Sequence, residues 1–473
     1  MSDAGLDSPF AARYGSPAMR ALWSDAHKRA LWRRLWVALA EAQSRAGIIS
    51  AAQLEDVRAH ADTPNTARAL EIEHEIGHDV MAELRAFAEQ CPVGGGILHT
   101  GATSADITDN ADVLRQRAAV QLVRERLGDL LAAFAGQIEA HAHLVGMAYT
   151  HLQPAEPTTL GYRLAVYAQD LLGHWRALER LLSELRGKGL KGAVGTAAAY
   201  QELLAGTPVS AAALEADFLR ALELPAFAIA TQTYPRGQDY TVLAALAGLA
   251  AALHKFAFDL RVLQSQGMAE LAEPFGEKQV GSSAMPFKRN PVNAEKICSL
   301  ARFVAGLPAV AWGNAAESLL ERTLDDSANR RATLPEGFIA LEECLLAATR
   351  VVRGLVVDPA AIGANLERFG PFAATERVLM ALVRAGADRQ RCHERLRDAS
   401  LKAWAALKAG RANPLADLLA ADPELLRFLQ PARLRELMDA RAYVGSAPQR
   451  ALALAAEVRT ALAEATTWTG GAV

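Results

Sequence analysis

Apolar positions recur with the three-to-four-residue spacing of helices along almost the whole chain, and no alternating run of β-branched residues is long enough for a sheet. The pattern predicts an all-α protein. Three segments read as unusually long helices: Ile107 to about Leu144, Thr158 to about Arg186, and Asp239 to about Gln266. The last is apolar on several faces, as in Tyr240-Thr241-Val242-Leu243-Ala244-Ala245-Leu246-Ala247-Gly248-Leu249. A helix apolar all round must be enclosed by other helices. Long helices with more apolar surface than one chain can cover predict a bundle completed by partner subunits, a homo-oligomer.

Glycine and proline punctuate this pattern. Cys91-Pro92-Val93-Gly94-Gly95-Gly96 closes an N-terminal helical region, and Glu273-Pro274-Phe275-Gly276 stops the third long helix. Asp358-Pro359 and Gly370-Pro371 open a C-terminal region of shorter helices. The expected division is 1–105, a central long-helix region 106–357, and 358–473, packed on one another, since no flexible linker or internal repeat separates them.

Composition narrows the partners. At 473 residues the chain can bury a large core. Its hydrophobic share of 51% is largely alanine, which favours helix over greasy surface. A net charge of −3 carries no basic bias, so nucleic acid is not an expected partner. The start, with Asp3 and Asp7, lacks a basic region followed by an apolar core, and the apolar run Thr241 to Leu253 is shorter than the roughly 20 residues of a membrane span. A cytoplasmic protein without a membrane partner is expected. Cys91, Cys298, Cys344 and Cys392 lie far apart with no CxxC pair, and no His, Cys and carboxylate cluster has metal-ligand spacing, so neither metal nor cofactor is expected.

The stretch richest in chemistry is Gly281-Ser282-Ser283-Ala284-Met285-Pro286-Phe287-Lys288-Arg289-Asn290-Pro291. Small residues let backbone N–H groups approach an anion, and Lys288 with Asn290 adds a charge and an amide for a carboxylate. A new helix should begin near Pro291-Val292, and a polar loop between helices can close over a ligand. Gly-Ser-Ser alone is more often a linker; with Met-Pro-x-Lys-x-Asn-Pro attached, Gly281 to Glu295 resembles the signature loop of the fumarase, aspartase and argininosuccinate lyase superfamily. That resemblance implies three mostly helical domains, a central bundle shared by a homotetramer, active sites assembled from three chains, and anti β-elimination of fumarate from a succinyl group.

Other segments resemble the adenylosuccinate lyase branch, in the form typified by animal enzymes: Arg13-Tyr14-Gly15-Ser16-Pro17, His78-Asp79-Val80-Met81-Ala82, Leu98 to Ser104, Thr150-His151-Leu152-Gln153-Pro154-Ala155, Glu321 to Arg331, Ala374-Thr375-Glu376, Arg389 to Glu394, and Gly445 to Gln449. The similarity spans nearly the whole chain. One departure stands out: where that family usually has Arg or Lys before the His-Asp pair, this chain has Gly77.

Expelling an amine from a succinyl group needs a base for the Cβ proton, charge stabilisation for the carboxylate, and an acid for the leaving nitrogen. The resemblance implies Ser282 as the base, effective only if loop amides and Lys288 stabilise its alkoxide. It implies His151 as the acid, with His78, beside Asp79, orienting or sharing that proton and His99 lining the site. Thr103 and Ser104 sit where they can cap the helix that begins near Ile107, and the same helix start can bind a carboxylate. Arg13, Tyr14, Arg322, Ser327 and Arg331 would grip a nucleotide phosphate, a task suited to the arginine fork. Gln232 would contact the succinyl or base portion, and Thr150 adjoins His151. His60, His141, His174 and His254 are read as structural. The expected reaction is fumarate release from adenylosuccinate, giving AMP, and from the succinylated aminoimidazole carboxamide ribotide. The alternatives are an argininosuccinate or nitrosuccinate type of lyase, which Gly77 mildly favours, and a structural protein on a lyase fold.

Overall fold

The computed structural model describes residues 8–276 and 278–466. Asp3 and Asp7 lie outside them. Helix accounts for 68% of the described residues and strand for 4%, so the helical pattern carries the architecture.

The long helices are Ser104–Ala140, Leu160–Glu184, Gly237–Leu263, Val292–Ala316 and Asp325–Arg353. They pack lengthwise on one another over one continuous apolar core. The first starts three residues before the sequence pattern suggests, because Asp106 accepts the Thr103 N–H at 3.1 Å and closes the first turn. It ends at Ala140, and the chain then forms a hairpin that the apolar pattern did not predict: β1 (Val145–Thr150) pairs antiparallel with β2 (Gln153–Thr159). Thr158 and Thr159 therefore finish a strand rather than begin a helix, and the Thr159 hydroxyl caps Leu160–Glu184 by accepting the Tyr162 N–H at 3.2 Å. A second small pairing joins β3 (Leu271–Ala272) to β4 (Val356–Val357).

Gly237–Leu263 is by length and composition long enough to cross a bilayer. Inside the protein it packs on Val292–Ala316, Leu160–Glu184 and Asp325–Arg353, and it starts with the buried carboxylate of Asp239. Its apolar character is met on one side by other helices.

Asp358 caps Pro359–Arg384, a 26-residue helix, by accepting the Ala361 N–H at 2.9 Å. Gly370-Pro371, by contrast, lies within this helix instead of opening one. The cost of an interior proline is set against packing: Gly370 lies so close to Ala440 and Leu366 that a Cβ would press on both. The C-terminal helices share their own apolar cluster with Met147 of β1, whereas the last helix, Ala447–Thr466, returns to lie on Ser104–Ala140 and Leu160–Glu184.

All four cysteines are buried and free, and burial pushes the Cys91 thiol up to about 11. Burial also holds the imidazoles of His27, His99, His141 and His174 below their ordinary value. These groups take up protons less readily in the folded chain than in the unfolded chain, which protonates below about 6.5. Stability is therefore full above that pH and lost as the pH falls through it. The urea midpoint should drop between pH 7.5 and pH 5.5; a midpoint that stays level or rises would contradict this.

Candidate active site

The signature loop is a closed excursion between Gly237–Leu263 and Val292–Ala316. Its stem is pinned at several points. Gln264 accepts the Glu273 N–H at 3.0 Å and donates to the Arg289 carbonyl at 3.2 Å. The buried Glu273 carboxylate caps Val292–Ala316 by accepting the Asn293 and Ala294 N–H groups, each at 3.1 Å. Asn290 Nδ2 donates to the Gly281 carbonyl at 3.0 Å. At the crossing, a Cβ on Gly281 would collide with the Lys288 carbonyl oxygen. Gly281→Ala should thus open the stem and cut turnover by about 10²-fold, the usual scale for an ångström of misplacement; unchanged steady-state kinetics would show that this closure is not needed.

Within the loop, the Ser282 hydroxyl oxygen accepts the Met285 N–H at 3.1 Å and the Ala284 N–H at 3.3 Å. Two backbone dipoles thus converge on the oxygen that the sequence singles out, an arrangement that favours negative charge there. The Lys288 backbone N–H closes the turn on Met285 at 3.0 Å, and its side chain is exposed and unpaired among the described residues.

A second group gathers around the starts of two helices. His78 caps Asp79–Gln90, its Nδ1 accepting the Met81 N–H at 3.3 Å. Asp79 pairs with Arg331 at 2.9 Å, which joins the His-Asp segment to Asp325–Arg353 across 252 residues of sequence. Arg322 is held by Asp326 at 3.0 Å, and Ser327 sits in the first turn of the same helix. Gln232 bridges two loops: its N–H donates to the Glu321 carbonyl at 3.2 Å, and its side chain to the Ala193 carbonyl at 3.1 Å. His99 adopts a positive φ of 65°, uncommon for a residue other than glycine, and its Nδ1 accepts the Trp36 indole N–H at 3.0 Å. Burial lowers its proton affinity, and since Nδ1 accepts, the proton of the neutral ring sits on Nε2.

Beneath this group lies a support that sequence reading missed. The fully buried Asp106 carboxylate accepts from Lys188 Nζ at 2.6 Å, the Tyr200 hydroxyl at 3.1 Å and the Lys191 and Gly192 N–H groups, both at 3.2 Å, besides Thr103. It thereby fixes Thr103-Ser104 against the loop that receives Gln232. Asp106, Lys188 and Tyr200 are ordinary residues in sequence; only their convergence reveals them.

Two further groups stand apart. Arg13 and Tyr14 line a 680 Å³ cavity with Asn293, Glu295 and Lys296. The turn after them is clamped by Glu342, which accepts the Ser16 N–H at 2.7 Å, and by Glu343, which accepts the Gly15 N–H at 3.2 Å. Thr150 lines a 620 Å³ cavity with Glu156, Phe372 and Glu376. His151 and Leu152 form the two-residue tip of the β1–β2 hairpin, both at positive φ, 53° and 58°. That mirror-image turn normally calls for glycine or asparagine, so its use by His and Leu marks a constrained tip. Within the described residues no hydrogen bond or ion pair joins His151, His78 and Ser282. Of the histidines read as structural, His60 binds the Asp56 carbonyl at 2.8 Å, His141 ends a helix and His254 stacks on Phe258.

The long-helix bundle with its pinned loop is the frame of the site, and comparison with known proteins shows its class, a lyase. The lyase family matches residues 16–306, and the adenylosuccinate lyase C-terminal family matches residues 371–451. Adenylosuccinate lyase from Schistosoma mansoni is 39% identical over 88% of this chain and 87% of its own length; that from Saccharomyces cerevisiae is 37% identical over 94% and 92%. The chain belongs to the adenylosuccinate lyase family. Among solved structures, 3-carboxy-cis,cis-muconate lactonizing enzyme from Pseudomonas putida superposes with a TM-score of 0.85 at 26% identity, covering 96% of this chain and 100% of that one. A fumarate lyase from Mesorhizobium superposes with a TM-score of 0.82 at 27% identity, covering 94% and 98%. The same fold thus carries more than one chemistry, and the reaction must be argued from the site.

Proposed function

We propose that the protein cleaves adenylosuccinate to AMP and fumarate, and the succinylated aminoimidazole carboxamide ribotide in the same way. The observation that carries this is the Ser282 oxygen, which receives two backbone N–H groups in a loop of the lyase signature. Ser282 as alkoxide takes the Cβ proton; the Cα–N bond breaks, its electron pair goes to nitrogen, and His151 supplies the proton that lets the amine leave. His78 and Asp79 orient that exchange, while His99, Thr103, Ser104, Thr150, Lys288 and Asn290 receive the succinyl carboxylates. Arg13, Tyr14, Arg322, Ser327 and Arg331 hold the phosphate and Gln232 the base or succinyl portion.

We read the working site as composite and the protein as a homotetramer, in keeping with long helices whose apolar surface exceeds what one chain covers. Exposed Val166, Tyr240, Phe258, Phe303 and Trp312 on the long helices supply apolar surface for that assembly. A net charge of −3 gives no basic bias toward nucleic acid, and we read the protein as a cytoplasmic enzyme acting on small molecules without membrane, metal or cofactor.

Gly77 stands in the left-handed conformation that ends Thr66–Ile76, at a φ of 65°. This gives the glycine a backbone reason, independent of substrate choice. The test is a substrate panel read by fumarate absorbance after exhaustive chelation. Both purine intermediates should be cleaved and argininosuccinate left intact; cleavage of argininosuccinate alone would overturn the reading.

A further inference from the structure

The hairpin that presents Thr150 and His151 is held by more than its own ladder. Under it lies Glu270, whose side chain is fully buried. One carboxylate oxygen accepts from the Tyr149 hydroxyl at 3.3 Å and from Asn365 Nδ2 at 3.0 Å; the other pairs with Arg163 at 2.9 Å. The second arm of Arg163 donates to the Met147 carbonyl. Met147 and Tyr149 flank the register irregularity of β1, and Tyr149 stands two residues before His151. The Glu270 backbone is fixed as well: its N–H donates to the Leu263 carbonyl and its carbonyl accepts the Asp358 N–H, both at 3.0 Å. One carboxylate therefore ties β1 to Leu160–Glu184, to Pro359–Arg384 and to the strand that leads into the signature loop.

A buried carboxylate needs compensation, and here a guanidinium and two neutral donors provide it. Burial and the Glu270 charge push the Tyr149 hydroxyl up to about 12, so it remains a donor at any working pH. A two-stranded hairpin is marginal by itself in water, and this one ends in two left-handed residues that resist their own conformation. Its direction must be set from its base. We propose that Glu270 is a positioning residue for the elimination: through Tyr149, and through Arg163 to Met147, it fixes the hairpin so that His151 meets the leaving nitrogen. The proposal rests on the reading of His151 as proton donor.

The test compares Tyr149→Phe, Glu270→Gln and His151→Ala on adenylosuccinate and on an analogue in which sulfur replaces the bridging nitrogen. The thiolate leaves without needing a proton. Tyr149→Phe keeps the Glu270–Arg163 pair, so its folding is secure even if Glu270→Gln unfolds. On adenylosuccinate it should lower kcat by about 10-fold with KM unchanged, and on the sulfur analogue most of that loss should vanish, as for His151→Ala. Equal losses on both substrates, or none on either, would overturn the positioning role while His151→Ala still discriminates. If His151→Ala itself loses equally on both, the proton-donor reading falls and this inference with it.

Discussion

Ser282→Ala should bind substrate almost as the parent enzyme does and turn it over about 10²–10⁴-fold more slowly, the range that proton transfer by a positioned group supplies. The substitution removes only an oxygen that accepts two loop N–H groups and leaves the stem contacts of Gln264, Glu273 and Asn290 in place. The proposed phosphate-binding residues Arg13, Tyr14, Arg322, Ser327 and Arg331 lie on other elements and are untouched. Calorimetric binding beside steady-state turnover separates the two effects. His151→Ala should lose turnover on a comparable scale but recover part of it with a leaving group that needs no proton, a rescue that Ser282→Ala should not show. Near-normal turnover in Ser282→Ala, or rescue of the serine variant alone, would reverse the assignment.

The second large effect is on stability. Arg236, buried, is held bidentately by Asp109 at 3.0 and 3.1 Å and by Asp326 at 2.6 Å. Asp109 also accepts the Tyr234 N–H at 2.9 Å, and Arg330 pairs with Asp239 at 2.8 Å beside the same tyrosine. Asp109→Ala strips the guanidinium of one partner without letting it reach water. Breaking a buried pair in this way costs about 3–5 kcal/mol. Because Asp326 also holds Arg322, the loss should raise KM for the phosphate-bearing substrate as well. Urea denaturation reads the first effect; a midpoint equal to that of the parent would show that Arg236 finds another partner.

These two residues mark what was and was not legible in the sequence. Ser282 stood out because Gly281 to Glu295 resembles the signature loop of the fumarase, aspartase and argininosuccinate lyase superfamily; Gly-Ser-Ser alone is more often a linker. Three of the five long helices were legible through apolar spacing, to within a few residues at their ends, whereas Asp325–Arg353 was not singled out. The hairpin was not: β1 reads Val-Gly-Met-Ala-Tyr-Thr and β2 carries two prolines, so neither has the alternation of a half-buried strand. It forms because Glu270, Arg163 and the C-terminal apolar cluster hold it, and those contacts are long-range. Gly370-Pro371 misled for the opposite reason, since local propensity argued for a break that packing overrides. Asp106, Asp109 and Glu270 could not be singled out either. A buried carboxylate is known by its partners, and its partners are distant in sequence.

The most direct measurement is product analysis of the purified protein incubated with adenylosuccinate in metal-free buffer, with Ser282→Ala run beside it. AMP and fumarate should appear in equal amounts with the parent chain and nearly vanish with the variant. Persistence of adenylosuccinate in the parent reaction, or equal product from both proteins, would contradict the account.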